Sequence, residues 1–256
     1  MDGIDITQDG SALTVTMNRP EIRNAMRPST WLALARIGDE ITDDVRVVVL
    51  RGAGETFCAG LDRRLFGGGG IEGEPPITDL FRATPEEFDA TVAAYQEGFA
   101  WLRDPRFVSI AAVQGYAIGA GFQIALACDL RIVADDAQFC MKEPALGMVP
   151  DLTGTKHLVE LVGYSRALEM SVTTRMVGAE EADRIGLVNR VVARDDLDAA
   201  VAEAVAAVTA HSAGAVRGTK EVFLGAADRT FDEQRAHERA LQYLRFQELA
   251  QLWSQS

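Results

Sequence analysis

The length, composition and charge of the chain exclude several classes of protein. Its 256 residues, 48% of them hydrophobic, are enough to bury a large core, and 23 glycines and 8 prolines are typical neither of collagen nor of a low-complexity chain. The formal net charge of −13 repels a phosphate backbone, so we expect no nucleic-acid partner. One small anionic ligand remains compatible with this charge, because such a ligand responds to the local field.

Targeting segments, paired cysteines and metal motifs are not evident in the sequence. The N-terminal ten residues lack the basic and apolar parts of a signal peptide, and no apolar run approaches the ~20 residues of a membrane span. Cys58, Cys128 and Cys140 are odd in number and form no CxxC pair, so we expect buried, reduced thiols in a cytoplasmic protein. The three histidines lack the spacing of metal ligands, and no metal is expected.

Short strands alternate with helices through the first part of the chain. Period-two alternation and continuous apolar runs indicate strands, whereas apolar residues at helical spacing indicate helices. The predicted strands cover 4–7, 13–17, 47–50, 108–113 and 130–134, the first two forming a hairpin around Asp9-Gly10, and the predicted helices cover 28–42 and 85–102.

The mixed pattern changes after residue 195. Residues 1–195 predict an α/β core, because strands and helices alternate there. Residues 196–256 predict only helices, whose apolar stripes must pack on the core or on another subunit. Between two predicted helices, the glycine- and proline-rich segment 67–76 predicts a mobile loop of the kind that covers a site.

Two glycine-containing turns, 57–62 and 115–121, follow predicted strands. A turn of this kind either presents unpaired backbone N–H groups to an anion or serves only close packing. A dinucleotide-binding fingerprint fails because Ile124 stands where a third glycine is required, which disfavours a dehydrogenase. Neither a P-loop nor a nucleophile-elbow motif occurs.

Two carboxylates, Glu143 and Asp151, lie in a mostly apolar segment that spans 137–151. Apolar surroundings raise the pKa of a carboxyl group, which suits it to proton transfer near neutral pH. The alternative for Glu143 is a surface ion pair with Lys142 or an arginine. The alternative for Asp151 is an N-cap ahead of a helix predicted over 155–162.

Taken together, these segments resemble the crotonase (enoyl-CoA hydratase/isomerase) superfamily. Each piece alone is a weak signal, but the ordered set covers nearly the whole chain and is specific. The matching pieces are 18–20 with 23–25, 57–62, 115–121, 127–131, 137–139, Glu143, 146–147 and 179–188.

The resemblance implies a spiral of repeated ββα units, a C-terminal helical region and a homotrimer or a dimer of trimers. It also implies an acyl-CoA thioester substrate without a separate cofactor, since coenzyme A is part of the substrate. The thioester oxygen would lie in an oxyanion hole made by the backbone N–H groups of Leu61 and Ala120. We expect 63–85 and 86–102 to shape the pocket. The implied CoA contacts are Arg23, Ala59, Gly60, Leu61, Asp62 and Gly119.

One position departs from the family pattern. Hydratases of the family use two glutamates to activate water, and Glu143 falls on the second position while Gln123 falls on the first. Glutamine orients water but accepts no proton at neutral pH, unless it only fills the site as a helix residue. Asp151 falls where dienoyl-CoA isomerases carry an aspartate.

The sequence therefore favours an enoyl-CoA or dienoyl-CoA isomerase. In this hypothesis Glu143 is the base, Asp151 is a second acid and Gln123 is a polar orienter. Hydration of a 2-enoyl-CoA, with both carboxylates sharing the work, is the alternative. A non-catalytic acyl-CoA binder and an oligomeric scaffold are the alternatives outside catalysis.

Overall fold

The computed structural model describes residues 3–66 and 70–254, apart from the side chain of Leu252, and shows a mixed α/β fold. Its strands are β1 (Ile4–Asp9), β2 (Ala12–Met17), β3 (Val47–Gly52), β4 (Val108–Val113), β5 (Tyr116–Ile118), β6 (Leu130–Ala134), β7 (Gln138–Cys140), β8 (Val177–Gly178) and β9 (Arg190–Val192). Its α-helices are α1 (Pro28–Glu40), α2 (Pro85–Ala100), α3 (Ala120–Ala127), α4 (Gly154–Val162), α5 (Tyr164–Thr173), α6 (Ala179–Arg184), α7 (Leu197–Thr209), α8 (Ala213–Phe223) and α9 (Phe231–Ser254).

Two sheets carry the core. The larger has the order β1-β2-β3-β4-β6-β9; its first pair is the predicted antiparallel hairpin, and the remaining neighbours are parallel. The smaller has the order β5-β7-β8. Because each of β1-β2-α1, β4-β5-α3 and β6-β7-α4 is a strand–strand–helix unit, the expected ββα repeat is confirmed.

The continuous apolar run of β3 is explained by burial on both faces of the larger sheet. Val48 and Leu50 face the main core, whereas Val47 and Val49 face a second apolar cluster that includes Leu197 of α7. The helix α7 thus belongs to the packed core, although it lies within the region 196–256 predicted as a separate helical segment.

Several element boundaries differ from the prediction. The helix α1 ends at Glu40 instead of Thr42, because Ile41 has extended backbone angles. The helix α2 ends at Ala100 and is followed by a 3-10 turn over Trp101–Arg103. The strands β5, β7, β8 and β9 were not predicted, since two or three residues are too few to show an alternation.

The loop predicted over 67–76 is only partly within the described residues, because 67–69 lie outside them. Further along, the carboxylate of Glu74 accepts hydrogen bonds from the backbone N–H and the hydroxyl of Ser29 at the start of α1. This contact fixes the segment against the helix. A 3-10 helix, Ile77–Phe81, then leads toward α2.

The last two helices pack differently from α7. The guanidinium of Arg217 donates to the carbonyl of Arg106 at 2.7 Å and so ties α8 to the core, but no residue of α8 is buried. Large apolar side chains remain exposed along α8 and α9: Phe223, Phe231, Tyr243, Leu244 and Phe246. Among the described residues no single helix is long and apolar enough to span a membrane; only the pair 194–209 and 213–228, bent by 101°, passes by length and composition together.

A buried arginine joins the sheet to its surroundings. Arg131 on β6 is 2% exposed, and its guanidinium donates to the carbonyls of Leu187 (2.8 Å) and Cys128 (2.7 Å). Burial lowers the pKa of Arg131 to about 10, so the side chain stays charged at neutral pH.

Replacing Arg131 with methionine is expected to lower the free energy of unfolding by about 3 kcal/mol, because buried carbonyls would lose their donor. Urea unfolding measures this change. Arg190→Met on β9 is the matched control: it removes an exposed ion pair with Glu203 and should cost less than about 1 kcal/mol. Equal costs for the two variants would contradict this account of Arg131.

Candidate active site

The two glycine-containing turns lie side by side. The N–H of Cys58 donates to the carbonyl of Tyr116 at 2.8 Å, and the N–H of Ile118 donates to the carbonyl of Cys58 at 3.0 Å. Gly60 has a φ of +90°, and a Cβ there would lie 2.5 Å from the carbonyl oxygen of Ile118. Only glycine therefore permits this approach of the two turns.

This approach places two backbone donors in one cavity. Ala120 is the first residue of α3, so its N–H has no partner within the helix. The N–H of Leu61 likewise donates to no acceptor in the described part of the chain. Both residues line the cavity. Two unpaired N–H groups of this kind can hold an oxygen that becomes negatively charged.

The cavity has a volume of about 650 Å³ and is formed by several separate segments. The turns contribute Ala59–Leu61 and 118–120, and other lining residues come from α1, from Ile77–Phe81 and from α2. The segments 63–85 and 86–102 do shape the pocket, as predicted. A further wall is formed by residues between Lys142 and Leu152.

Glu143 brings a carboxyl group to this cavity while being only 8% exposed. Its Oε1 accepts a hydrogen bond of 2.6 Å from Gln123, and its buried Oε2 receives none. The carboxyl lies against Gly119, where a Cβ would be 3.3 Å from Oε1. The alternative of a surface ion pair with Lys142 or an arginine is wrong, since Glu143 is buried and forms no salt bridge within the described residues.

Burial raises the pKa of Glu143 above the ordinary value of 4.5, and the charge of Asp151 adds a smaller increase. Hydrogen bonds from Gln123 and the backbone oppose this shift. A carboxyl group with a raised pKa is a stronger base once it is deprotonated. Glu143 therefore has the position and the environment of a proton-transfer group.

Gln123 is fully buried on α3 and is not among the residues that line the cavity. Its Nε2 donates to Glu143, while its Oε1 accepts hydrogen bonds from the N–H groups of Leu152 (2.9 Å) and Gly154 (3.2 Å). The side chain is not merely a filler, because both ends of its amide are bonded. One end of the amide contacts the Glu143 carboxyl and the other contacts the start of α4. Neither end faces the cavity.

Asp151 lines the same cavity and is exposed to it. Surrounding protein nevertheless displaces enough water to raise the pKa of its carboxyl group. The alternative of a helix N-cap is wrong: the N-cap of α4 is Thr153, in a left-handed conformation with φ of 71° and without a side-chain cap. Gln96 on α2, which the sequence did not single out, donates to the Asp151 carbonyl at 2.7 Å.

The residues expected to contact CoA divide into two groups. Ala59, Gly60, Leu61 and Gly119 line the cavity, whereas Arg23 and Asp62 do not. The carboxylate of Asp62 is buried among arginines, and the hydrogen bond from Arg64 contributes most to lowering its pKa to about 2.

Arg23 is exposed and lies over the ring of Tyr116, 5.8 Å from its centroid. Its carbonyl accepts a hydrogen bond from the N–H of Ala59, so it supports the turn through its backbone. The three cysteines are buried and unpaired, as predicted. Within the residues that the structure describes, no cluster of three or more His, Cys, Asp or Glu side chains could hold a metal.

The pH dependence of kcat/KM should report the carboxyl group of Glu143. A base acts only when deprotonated, so activity should fall as the pH decreases through a pKa that lies above 4.5. Initial rates across pH, at substrate concentrations well below KM, measure this limb for the free enzyme. An acid limb centred at or below 4.5, or one that persists in Glu143→Gln, would contradict the assignment.

Two unpaired N–H groups and a buried carboxyl group thus line one cavity, an arrangement suited to chemistry at a carbonyl group. This chain belongs to the enoyl-CoA hydratase/isomerase family, whose model matches residues 7–251. The resemblance inferred from the ordered motifs is thereby confirmed. As a member, the protein is an enzyme of acyl-CoA chemistry.

Its similarity to named relatives extends over most of the chain. It is 37% identical to (E)-benzylidenesuccinyl-CoA hydratase of Thauera aromatica, over 81% of this chain and 76% of that protein. It is 34% identical to carnitinyl-CoA dehydratase of Escherichia coli K12, over 91% and 84%.

A solved structure from Thermobifida fusca YX, provisionally named an enoyl-CoA hydratase, is 50% identical, covers 98% of this chain and 95% of its own, and has a TM-score of 0.93. A second Thermobifida fusca YX structure, in complex with CoA, has 49% identity and a TM-score of 0.92 over 98% of this chain and 95% of its own. A further structure with acetoacetyl-CoA has 49% identity and a TM-score of 0.93 over 96% of each chain.

Proposed function

We propose that this protein moves a carbon–carbon double bond in an enoyl-CoA thioester by a proton shuttle on Glu143. The observation that carries this proposal is the Glu143 carboxyl: buried, raised in pKa and with one oxygen free of hydrogen bonds, it shares a cavity with the unpaired N–H groups of Leu61 and Ala120. These are the two parts that enolate chemistry requires, a base and a site for the negative charge.

In this mechanism Glu143 removes a proton from C2 of a 3-enoyl-CoA. The electron pair moves onto the thioester oxygen, which accepts hydrogen bonds from Leu61 and Ala120. The same carboxyl group then returns the proton to C4, and the double bond lies between C2 and C3. No atom is gained or lost. Each oxyanion donor is worth roughly 2.7–4 kcal/mol of transition-state stabilisation.

The contacts of Gln123 support isomerisation over hydration. Hydration by two glutamates needs a second carboxylate that faces the bound water, and the amide here is occupied by Glu143, Leu152 and Gly154. One base is sufficient for a double-bond shift. Asp151, which lines the same cavity, would deliver a proton further along the acyl chain.

Hydration is the second candidate, and the relatives favour it. Both named relatives and the Thermobifida fusca protein carry the names of hydratases or dehydratases. In this case Asp151 would supply the function of the missing glutamate. Water would be held between the carboxyl groups of Glu143 and Asp151, which line the same cavity.

We also propose that the CoA moiety binds along the two glycine-containing turns, 57–62 and 115–121. The Thermobifida fusca structures with CoA and acetoacetyl-CoA support a thioester in the same cavity here. Arg63 lines the cavity, and Arg23 lies beside the first turn, where its carbonyl accepts from the N–H of Ala59. These arginines provide local positive charge for the CoA phosphates in a protein with a net charge of −13.

Self-association into a trimer, or a dimer of trimers, is also proposed. The exposed apolar side chains of α8 and α9 support it, because the rest of the chain leaves them open to solvent. Light scattering at micromolar concentration tests the proposal, and a monomer would contradict it.

Replacing Gln123 with glutamate tests the choice between the two reactions. The new carboxyl would stand 2.6 Å from Glu143 and share a proton with it, while still accepting from Leu152 and Gly154. We expect the wild type to shift the double bond of 3-enoyl-CoA and to hydrate 2-enoyl-CoA at least about tenfold more slowly. Because both oxygens of the new carboxyl would be held by these contacts and neither would face the cavity, the Gln123→Glu variant should gain no hydration. A gain of ~10²-fold, the usual effect of a general acid–base group, would show that position 123 reaches the bound water and would contradict this assignment.

Gln242→Glu, at an exposed position of α9 outside the cavity, is the matched control. Absorbance and mass measurements follow both products. Efficient hydration by the wild type, unchanged in Gln123→Glu, would overturn the isomerase assignment and support Asp151 as the replacement acid.

A further inference from the structure

One wall of the cavity is apolar and rich in aromatic side chains. It is formed by Trp31 on α1, Ile77 and Phe81 on the 3-10 helix, and Phe88, Val92 and Tyr95 on α2. The carboxyl groups and the N–H donors lie on the other segments. This apolar wall belongs to other segments than the oxyanion turns and can accommodate the apolar part of an acyl group.

Packing of α1 against α2 makes this wall rigid. The rings of Trp31 and Tyr95 have centroids 5.0 Å apart at an interplanar angle of 56°, and Trp31 also contacts Phe99 at 6.4 Å. A Cβ at Gly98 would overlap the carbonyl of Trp31, so the helices approach as closely as glycine allows. Fixed rings offer a preformed surface to a ligand at a low entropy cost.

The aromatic side chains of this wall differ in their exposure to solvent. Trp31 and Tyr95 are nearly covered, whereas Phe88 is 43% exposed and Phe81 is 71% exposed. The two phenylalanines leave apolar surface open to solvent at the edge of the cavity. A ligand that covers them gains hydrophobic free energy in proportion to the area removed from water.

The size and charge of the cavity restrict the ligand further. A volume of about 650 Å³ is typical of a site that encloses a drug-sized group, so a four-carbon acyl chain would leave apolar wall in contact with water. Glu143 and Asp151 line the same cavity and would repel a second carboxylate on the acyl chain. The arrangement favours a bulky, uncharged acyl end.

We propose that the acyl site selects CoA thioesters whose acyl group ends in an uncharged aromatic ring, held against Trp31, Phe88 and Tyr95. This inference rests on the proposed function for the location of the thioester. Tilted contacts between a ligand ring and these rings add to the stabilisation from burial. Phe88 is then a specificity-determining residue.

Binding of two saturated esters tests the inference without turnover. Butanoyl-CoA and 4-phenylbutanoyl-CoA differ only by the ring and have no double bond to move. We expect calorimetry to show at least about tenfold tighter binding of the phenyl ester. Phe88→Leu keeps an apolar side chain but removes the ring, and should reduce this preference about two- to tenfold.

The control variant is Phe223→Leu, which changes an exposed phenylalanine on α8 outside the cavity and should leave the preference unchanged. Equal affinities for the two esters, or a preference untouched by Phe88→Leu, would overturn the aromatic assignment. Turnover of unsaturated esters is measured in parallel. Turnover without an aromatic preference would leave the proposed function standing, whereas absence of turnover alongside the expected preference would reject the reaction alone.

Discussion

Glu143→Gln is expected to lower kcat by about 10²–10⁴-fold, the usual contribution of a positioned general base. The substitution keeps the size of the side chain, and its carbonyl oxygen can still accept the 2.6 Å hydrogen bond from Gln123. An amide oxygen accepts hydrogen bonds but is too weak a base to remove a proton from the substrate at neutral pH. Steady-state kinetics on an unsaturated CoA ester measure the loss.

Binding and stability separate a lost base from a damaged site. Because the raised pKa of Glu143 shows that burying the charge is unfavourable, the glutamine variant should unfold at the same or higher urea concentration. Its affinity for a saturated CoA ester should stay within a few-fold of the wild type. Glu160→Gln, at an exposed position of α4, is the control. A Glu143→Gln enzyme that retains a tenth of the wild-type kcat would refute the role of this carboxyl.

Gly60→Ala is expected to reduce kcat by roughly 10²–10³-fold, as loss of one oxyanion donor does. A Cβ at this position would lie 2.5 Å from the carbonyl oxygen of Ile118, so the turn must move away from its neighbour. Leu61 follows directly, and its N–H would no longer point at the place where Ala120 donates. The effect should appear in kcat more than in the affinity for a saturated ester, because the negative charge develops in the transition state.

Strain in the backbone needs its own control, since Gly60 has a φ of +90°. Gly10 also has a positive φ, +55°, but a Cβ there would meet no atom within 4 Å. Gly10→Ala should therefore cost some stability and no activity. If Gly60→Ala is as active as Gly10→Ala, the backbone donors of the two turns are not an oxyanion hole.

Local patterns predicted the longer elements well, for physical reasons visible in the structure. The strand β3 was recognisable because both of its faces are buried, which makes Val47–Leu50 an unbroken apolar run. The strands β5 and β7 were missed because three residues carry no measurable period. The strand β5 lies in the second glycine turn and joins the first through the bridge between Ala117 and Cys58. The architecture of the site therefore depended on the family resemblance.

The environment of Gln123 could not be derived from its sequence position. All eight residues of α3 are buried, so no apolar stripe indicates which side faces a cavity. The two wrong alternatives, a surface pair for Glu143 and an N-cap for Asp151, arose from neighbours in sequence. In the fold, Glu143 turns inward onto Gly119, and Thr153 adopts the left-handed conformation between Asp151 and α4.

The most direct test of the central claim is a mass-resolved assay of the purified protein with 3-enoyl-CoA and 2-enoyl-CoA esters of one acyl chain. We expect the 3-enoyl ester to become the 2-enoyl ester without a change of mass, and Glu143→Gln to abolish this conversion. A product heavier by one water, formed from the 2-enoyl ester at a rate that equals or exceeds the double-bond shift, would contradict the claim.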